Sequence, residues 1–170
     1  YIHWQSFKNI VTLGLKIKSY EWTWSFIHNY KDKVEPKLRG STYHFNKGAW
    51  YYYQEDFDNA QSHLLQVAYF HTTIHLNAQG LLLKIYYEKN EIELLLSLAE
   101  TFKIFVQAQK KLATNTKTSY INFIKFAVQL FKIKNPMLKS RKVLGAVRQD
   151  IEGSKLISDK QWLLEKIEEL

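Results

Sequence analysis

The chain contains no cysteine. Disulfides, thiolate metal sites and a cysteine nucleophile are therefore excluded. The same absence is compatible with a cytoplasmic setting without fixing the compartment. Proline and glycine are scarce, 2 and 6 in 170 residues. Sandwiches and barrels need frequent turn residues, so this scarcity favours helices joined by short connections. No apolar run approaches the ~18 residues a membrane-spanning helix requires. The glycines that lie nearest each other, Gly40 with Gly48 and Gly145 with Gly153, are eight apart. A glycine-rich phosphate loop needs its glycines much closer together, and no Gly-x-Ser-x-Gly elbow occurs either. An initiator methionine is also missing, since the chain opens on Tyr1. The expectation is a segment cut from a longer protein.

What is present points to a packed helical interior. Hydrophobic residues make up 46% of the chain and aromatics 15%, with 5 Trp, 11 Tyr and 10 Phe. Disordered chains lack that aromatic content. From Asn90 to Leu112 the apolar residues Ile92, Leu95, Leu96, Ala99, Phe102, Val106 and Ala108 recur at spacings of three and four. That is the stripe one buried helical face requires. Ile121, Ile124, Ala127, Val128 and Phe131 repeat it between Tyr120 and Ile133. Asn135-Pro136 ends that helix, because a residue before proline avoids the α region. Ser158 or Asp159 is placed to cap a last helix from Lys160 to Glu169, with Trp162, Leu163, Ile167 and Leu170 on its apolar face.

A longer period underlies these stripes. Lys47-Gly48-Ala49-Trp50-Tyr51 is followed by Phe57, Ala60, Leu64 and Val67. Gly14, Ile17, Trp22, Ser25 and Pro36 form a looser copy upstream. Leu83, Tyr86, Ile92, Leu95, Ala99 and Phe102 form a third, beginning 35 residues after Gly48. This pattern resembles the tetratricopeptide repeat, a helix–turn–helix unit of about 34 residues. The resemblance spans residues 6–110 and departs from the family at His44, where Trp is usual, and at Thr72, where Pro is common. The third copy lacks the small residue of the first helix. The layout is also similar to the C-terminal part of bacterial helical-repeat proteins, a likeness that brings no activity with it.

The resemblance implies an all-α fold, an irregular α-solenoid of antiparallel helix pairs with a C-terminal capping helix. Its hairpins would occupy 6–39, 41–74 and 75–112, with further helices at 118–134, 137–151 and 159–169, in a single domain spanning 1–170. One segment admits an alternative. Tyr43-His44-Phe45, Asn46-Lys47-Gly48 and Trp50 to Tyr53 could form a β-hairpin instead of a helix. Carried over by register, the family's concave groove would be lined by Lys8, Lys18, Phe45, Tyr52, Tyr53, Asn77, Lys84 and Tyr87. Lysine beside tyrosine suits a peptide carrying carboxylates, although any one of these tyrosines is better read as core between hairpins.

Candidate chemistry is thin. His71 and His75 share a helical face, but a metal site needs a third ligand; none stands nearby in sequence, although His44 could approach through the fold. Glu55, Asp56 and Asp58, like Glu88, Glu91 and Glu93, stand at expected turns and helix starts, where carboxylates meet the helix dipole favourably. No catalytic constellation, cofactor motif or metal cluster emerges, so an enzyme is not expected. Charge is more informative. Between Thr101 and Gln149 there are eleven Lys or Arg and no Asp or Glu. Lys125, Lys132, Lys134, Lys139, Arg141 and Lys142 are expected to gather into one basic patch. Such a run attracts an acidic protein, nucleic acid or an anionic surface, or simply keeps the outer face solvated. The expected function is non-catalytic protein–protein interaction or scaffolding, with nucleic-acid or anionic-surface binding through 101–149 as the alternative.

Overall fold

The computed structural model describes residues 1–69, 71–135 and 141–170, apart from the side chains of Arg141 and Lys142. Among the described residues there are nine α-helices, one 3-10 turn and no strand beyond an isolated Ile2–Val34 bridge. The chain is all-helical, and Ser41 to Tyr53, the candidate β-hairpin, lies inside a helix. The helices are α1 (Trp4–Lys16), α2 (Tyr20–Tyr30), α3 (Pro36–Tyr53), α4 (Phe57–Leu64), α5 (Thr72–Glu88), α6 (Ile92–Ala108), α7 (Thr114–Lys134), α8 (Arg141–Gly153) and α9 (Lys160–Glu168). No helix among the described residues is long and apolar enough to cross a membrane.

Local chemistry explains where these helices begin. The His3 side chain accepts the Gln5 backbone N–H at the start of α1. Pro36 opens α3 at a position where its missing N–H costs nothing. Asp56 caps α4 by accepting the Asn59 N–H at 3.2 Å. Three of the helix ends share one device. Lys18, Glu55 and Asn90 have left-handed φ near 59°. Each is followed by a backbone N–H bonded to a carbonyl five residues back: Ser19 to Gly14, Asp56 to Tyr51 and Glu91 to Tyr86. Each also donates its own N–H three residues back, to Leu15, Tyr52 and Tyr87. This paired pattern is the Schellman turn, which satisfies two carbonyls a helix end would otherwise orphan. The same turn thus joins α1 to α2, α3 to α4 and α5 to α6.

Contacts divide the chain into two compact units, residues 1–85 and 86–170. In the first, α1 packs on α2 and α3, and α3 packs on α4. Both glycines of the repeat pattern sit at close helix approaches. A Cβ on Gly48 would stand 2.7 Å from Leu64 Cγ and 3.2 Å from the Ala60 carbonyl, and one on Gly14 would collide with Thr23. Phe7, Val11, Leu15, Ile27, Ala60 and Leu64 are essentially solvent-free.

The second unit packs α6 on α7, and α7 against α8 and α9. Leu95, Phe102, Val106, Phe123, Leu130 and Leu163 fill its interior. Tyr87 stands edge-on to Phe131 and Trp162, with centroids 5.7 and 5.1 Å away. The last helix buries Trp162, Leu163 and Ile167, whereas Leu170 is exposed. Asp159 occupies its N-cap position but makes no capping hydrogen bond with its side chain. Its left-handed backbone is the physical reason, since a capping side chain works from an extended N-cap.

Candidate interaction site

Helix α6 carries more apolar side chains than its buried stripe needs. Leu95, Ala99, Phe102 and Val106 face the interior, while Ile92, Leu94, Leu96 and Ile104 remain between 39% and 55% exposed. Leu96, counted with the buried stripe on spacing alone, therefore belongs to the surface, as do Ile92 and Ala108 of the same stripe. It forms one wall of an open cleft of about 390 Å³ between α6 and α7. Leu96, Ala99, Glu100 and Lys103 line it from α6, and Ile121, Ile124, Lys125, Val128 and Gln129 from α7. The floor is aliphatic and the rim is charged. Among the described residues Lys103 has no ion-pair partner, and Lys125 touches only the adjoining Phe126 ring, 5.1 Å from its centroid.

Other cations of the basic run are occupied within the fold. Lys117 donates to the Gln107 carbonyl at the C-terminal end of α6, where the helix dipole favours a positive charge. Lys134 lies 4.8 Å over the Tyr87 ring and donates to the Tyr87 carbonyl. Arg148 pairs with Glu168 at 2.6 Å and Glu152 at 3.7 Å. Lys132 is exposed. Lys139 and the side chains of Arg141 and Lys142 lie outside the described residues, so the expected patch is described only at Lys125, Lys132 and Lys134.

The groove residues read from the repeat register do not share one surface. Lys18 is a turn residue between α1 and α2. Phe45 is 7% exposed and Tyr87 1%, which makes both interior residues. A register borrowed from a repeat fixes which positions pack in a typical array, and these aromatic rings are instead drawn into the cores of their own units. Tyr52 is half-buried against Phe57 and Tyr53, with Tyr53 exposed at the end of α3. Asn77 and Lys84 are half-buried, seven residues apart on α5, and Lys8 is half-buried on α1.

The histidines fall into two groups. His71 accepts the Ile74 N–H at the start of α5 and stands edge-on to Trp4. Burial lowers the pKa of His75, against a raising hydrogen bond with the Val67 backbone. Among the described residues no three His, Asp or Glu side chains are grouped to hold a metal.

The sequence gives no sign of the second group. His44 of α3 and His63 of α4 meet Nδ1 to Nδ1 at 3.0 Å. One ring must donate and the other accept, so the contact holds a single proton. His63 also stacks on Tyr51 at 8°. Beside them the Lys47 ammonium lies 5.1 to 6.0 Å from the ring centres of Trp24, Tyr43 and Tyr51. Tyr43 meets His28 Nε2 at 3.3 Å, and His28 Nδ1 in turn donates to the Trp24 carbonyl. Burial first and Lys47 second push both His44 and His63 below the usual histidine pKa, and His44 adds a further push on His63. Nineteen residues separate the two rings, too far for any helical spacing to signal.

In the second unit the Lys166 ammonium binds Glu88 at 2.8 Å and Glu169 at 2.8 Å. Burial alone would lower its pKa, but the hydrogen bonds with Glu169 and Glu88 outweigh burial and raise it. Glu88, a member of one acidic cluster in the sequence, is thus one half of a partly buried ion pair. Glu91 pairs with Lys89 at 2.7 Å, and Asp56 serves as a cap. Compared with protein-family models, curated proteins and solved structures, the chain matches none.

Proposed function

We propose that the chain is a non-catalytic interaction module of tetratricopeptide-like hairpins, arranged as an irregular α-solenoid, that binds an acidic protein partner. The repeated Schellman turn at Lys18, Glu55 and Asn90 supports the hairpin reading, since helical-repeat units reuse one turn. The observation that carries the function is the aliphatic cleft between α6 and α7, where Leu96, Ile121, Ile124 and Val128 gather beside Lys103, which has no ion-pair partner among the described residues. Solvated faces and phosphate-binding faces do not need clustered aliphatic side chains, whereas protein interfaces combine an apolar centre with a charged rim.

The alternative, a nucleic-acid or anionic-surface binder through 101–149, rests on charge alone. Competition separates the two. The chain is titrated with an acidic leucine-containing polypeptide and with duplex DNA of equal charge, each across a salt series. The proposal expects polypeptide binding that persists as salt rises, because apolar burial is not screened. Binding of DNA alone, fading steeply with salt, would replace it with the alternative.

A further inference from the structure

From the α6–α7 cleft we infer a docking groove for an acidic amphipathic helix contributed by a partner protein. The inference rests on the interaction reading above and narrows it to one occupant and one face. Length comes first. On α6 the exposed or cleft-lining positions Ile92, Leu96, Ala99 and Lys103 recur every three or four residues along one face. Eleven residues of helix rise about 16 Å, room for about three turns of a second helix laid alongside. Ile121 to Gln129 of α7 forms the facing wall. A trough with two helical walls takes the row of apolar side chains that a helix presents at i, i+3 or i+4, and i+7.

Charge then selects the helix. Lys103 and Lys125 stand on opposite walls without ion-pair partners among the described residues, and the lining holds a single carboxylate, Glu100. The surrounding chain from Thr101 to Gln149 contributes cations only. An occupant with carboxylates flanking its apolar row would meet a lysine on either side, and a basic helix would be repelled along the whole segment. In the first unit Lys47 and Lys31 have settled on aromatic rings. Lys103 has no such ring beneath it among the described residues and is left for an external anion.

The test uses the full chain and a fluorescein-labelled synthetic helix of about four turns, with leucines at helical spacing and glutamates on both flanks. Binding is followed by polarisation. Three further ligands accompany it: a scrambled peptide of equal composition, a version with lysine for glutamate, and duplex DNA. The variants are Lys103→Glu with Lys125→Glu, and separately Leu96→Gln, which alters an exposed side chain and leaves the interior intact. We expect the ordered acidic helix to bind most tightly, and each variant to weaken it by about tenfold or more. The scrambled and basic peptides should bind correspondingly weakly. Tight binding unchanged by Leu96→Gln, or shared by the scrambled peptide, would overturn the groove while leaving an acidic partner in place. DNA binding with no peptide binding would overturn both. Self-association of the chain abolished by Leu96→Gln would assign the groove to a second copy and overturn the inference.

Discussion

Residues 1–85 and 86–170 differ in where they place their most central lysines. In the first unit Lys47 lies across Trp24, Tyr43 and Tyr51, and Lys31 lies 5.3 Å from the Tyr43 ring centre. In the second, Lys166 is drawn between Glu88 and Glu169, while Lys103 and Lys125 stand at the rim of an aliphatic cleft. Aromatic faces satisfy a cation without a counter-charge, so the first unit needs no carboxylate near its lysines. An aliphatic wall offers a cation nothing. The second unit seats Lys134 over the Tyr87 ring and pairs Lys166 with carboxylates, but it presents Lys103 and Lys125 outward, and these mark the surface that a partner can neutralise.

The largest expected effect breaks the paired cation. Lys166→Ala leaves the Glu88 carboxylate partly buried without its partner, which should cost about 3 kcal/mol in urea unfolding. A loss below about 1 kcal/mol would mean the pair behaves as a surface bridge. Close packing in the first unit gives a comparable figure. The Cβ added by Gly48→Ala meets Leu64 and the Ala60 carbonyl, and about 2 kcal/mol should be lost. Ala60→Leu enters the same contact and should cost about 1–3 kcal/mol. No loss in either variant would show that α3 and α4 do not rely on this approach.

That contact was legible in the sequence, because small residues at Gly48 and Ala60 fall where a helical hairpin needs them. The buried stripe of α6 was legible at Leu95, Ala99, Phe102 and Val106 for the same kind of reason, a period of three and four. Periodicity gives a face and not its partner, so Leu96, one position round from that stripe, could not be told from core. Contacts between distant segments left no trace at all. His44 meets His63 and Lys166 meets Glu88 through the fold, and neither pair has a spacing that chemistry alone would select. Phe45 and Tyr87, assigned to the groove by register, are buried, because a family register says nothing about which rings this chain buries.

The histidine contact distinguishes the units by pH. His44 and His63 have pKa values lowered in the folded state from an unfolded value of about 6.5. The unfolded chain then binds more protons, so this stability is complete above about pH 6.5 and is lost as pH falls through the lowered values. Four of the five tryptophans, Trp4, Trp22, Trp24 and Trp50, report on the first unit. Their unfolding midpoint should fall between pH 7.5 and 5.5, and fall less in His63→Gln, in which His75 still titrates. Equal falls would remove the pair as the cause.

The smallest effect concerns the shared turn. Lys18 and Glu55 hold left-handed backbone that costs an ordinary residue energy, whereas Asn90 adopts it more readily. Glu55→Gly should stabilise the first unit by about 0.5–1 kcal/mol, less than the left-handed penalty because glycine also frees the unfolded chain. Asn90→Gly should change the second unit's stability by less than about 0.5 kcal/mol. A reversed order would mean the side chains, and not the backbone, hold these turns.

The most direct measurement is amide hydrogen exchange on the full chain with and without the acidic synthetic helix. Protection concentrated in α6 and α7, with α1 to α4 unchanged, is the expected result. Protection of α1 to α4 instead, or of neither unit while the peptide is bound, would contradict the assignment of the open cleft as the binding face.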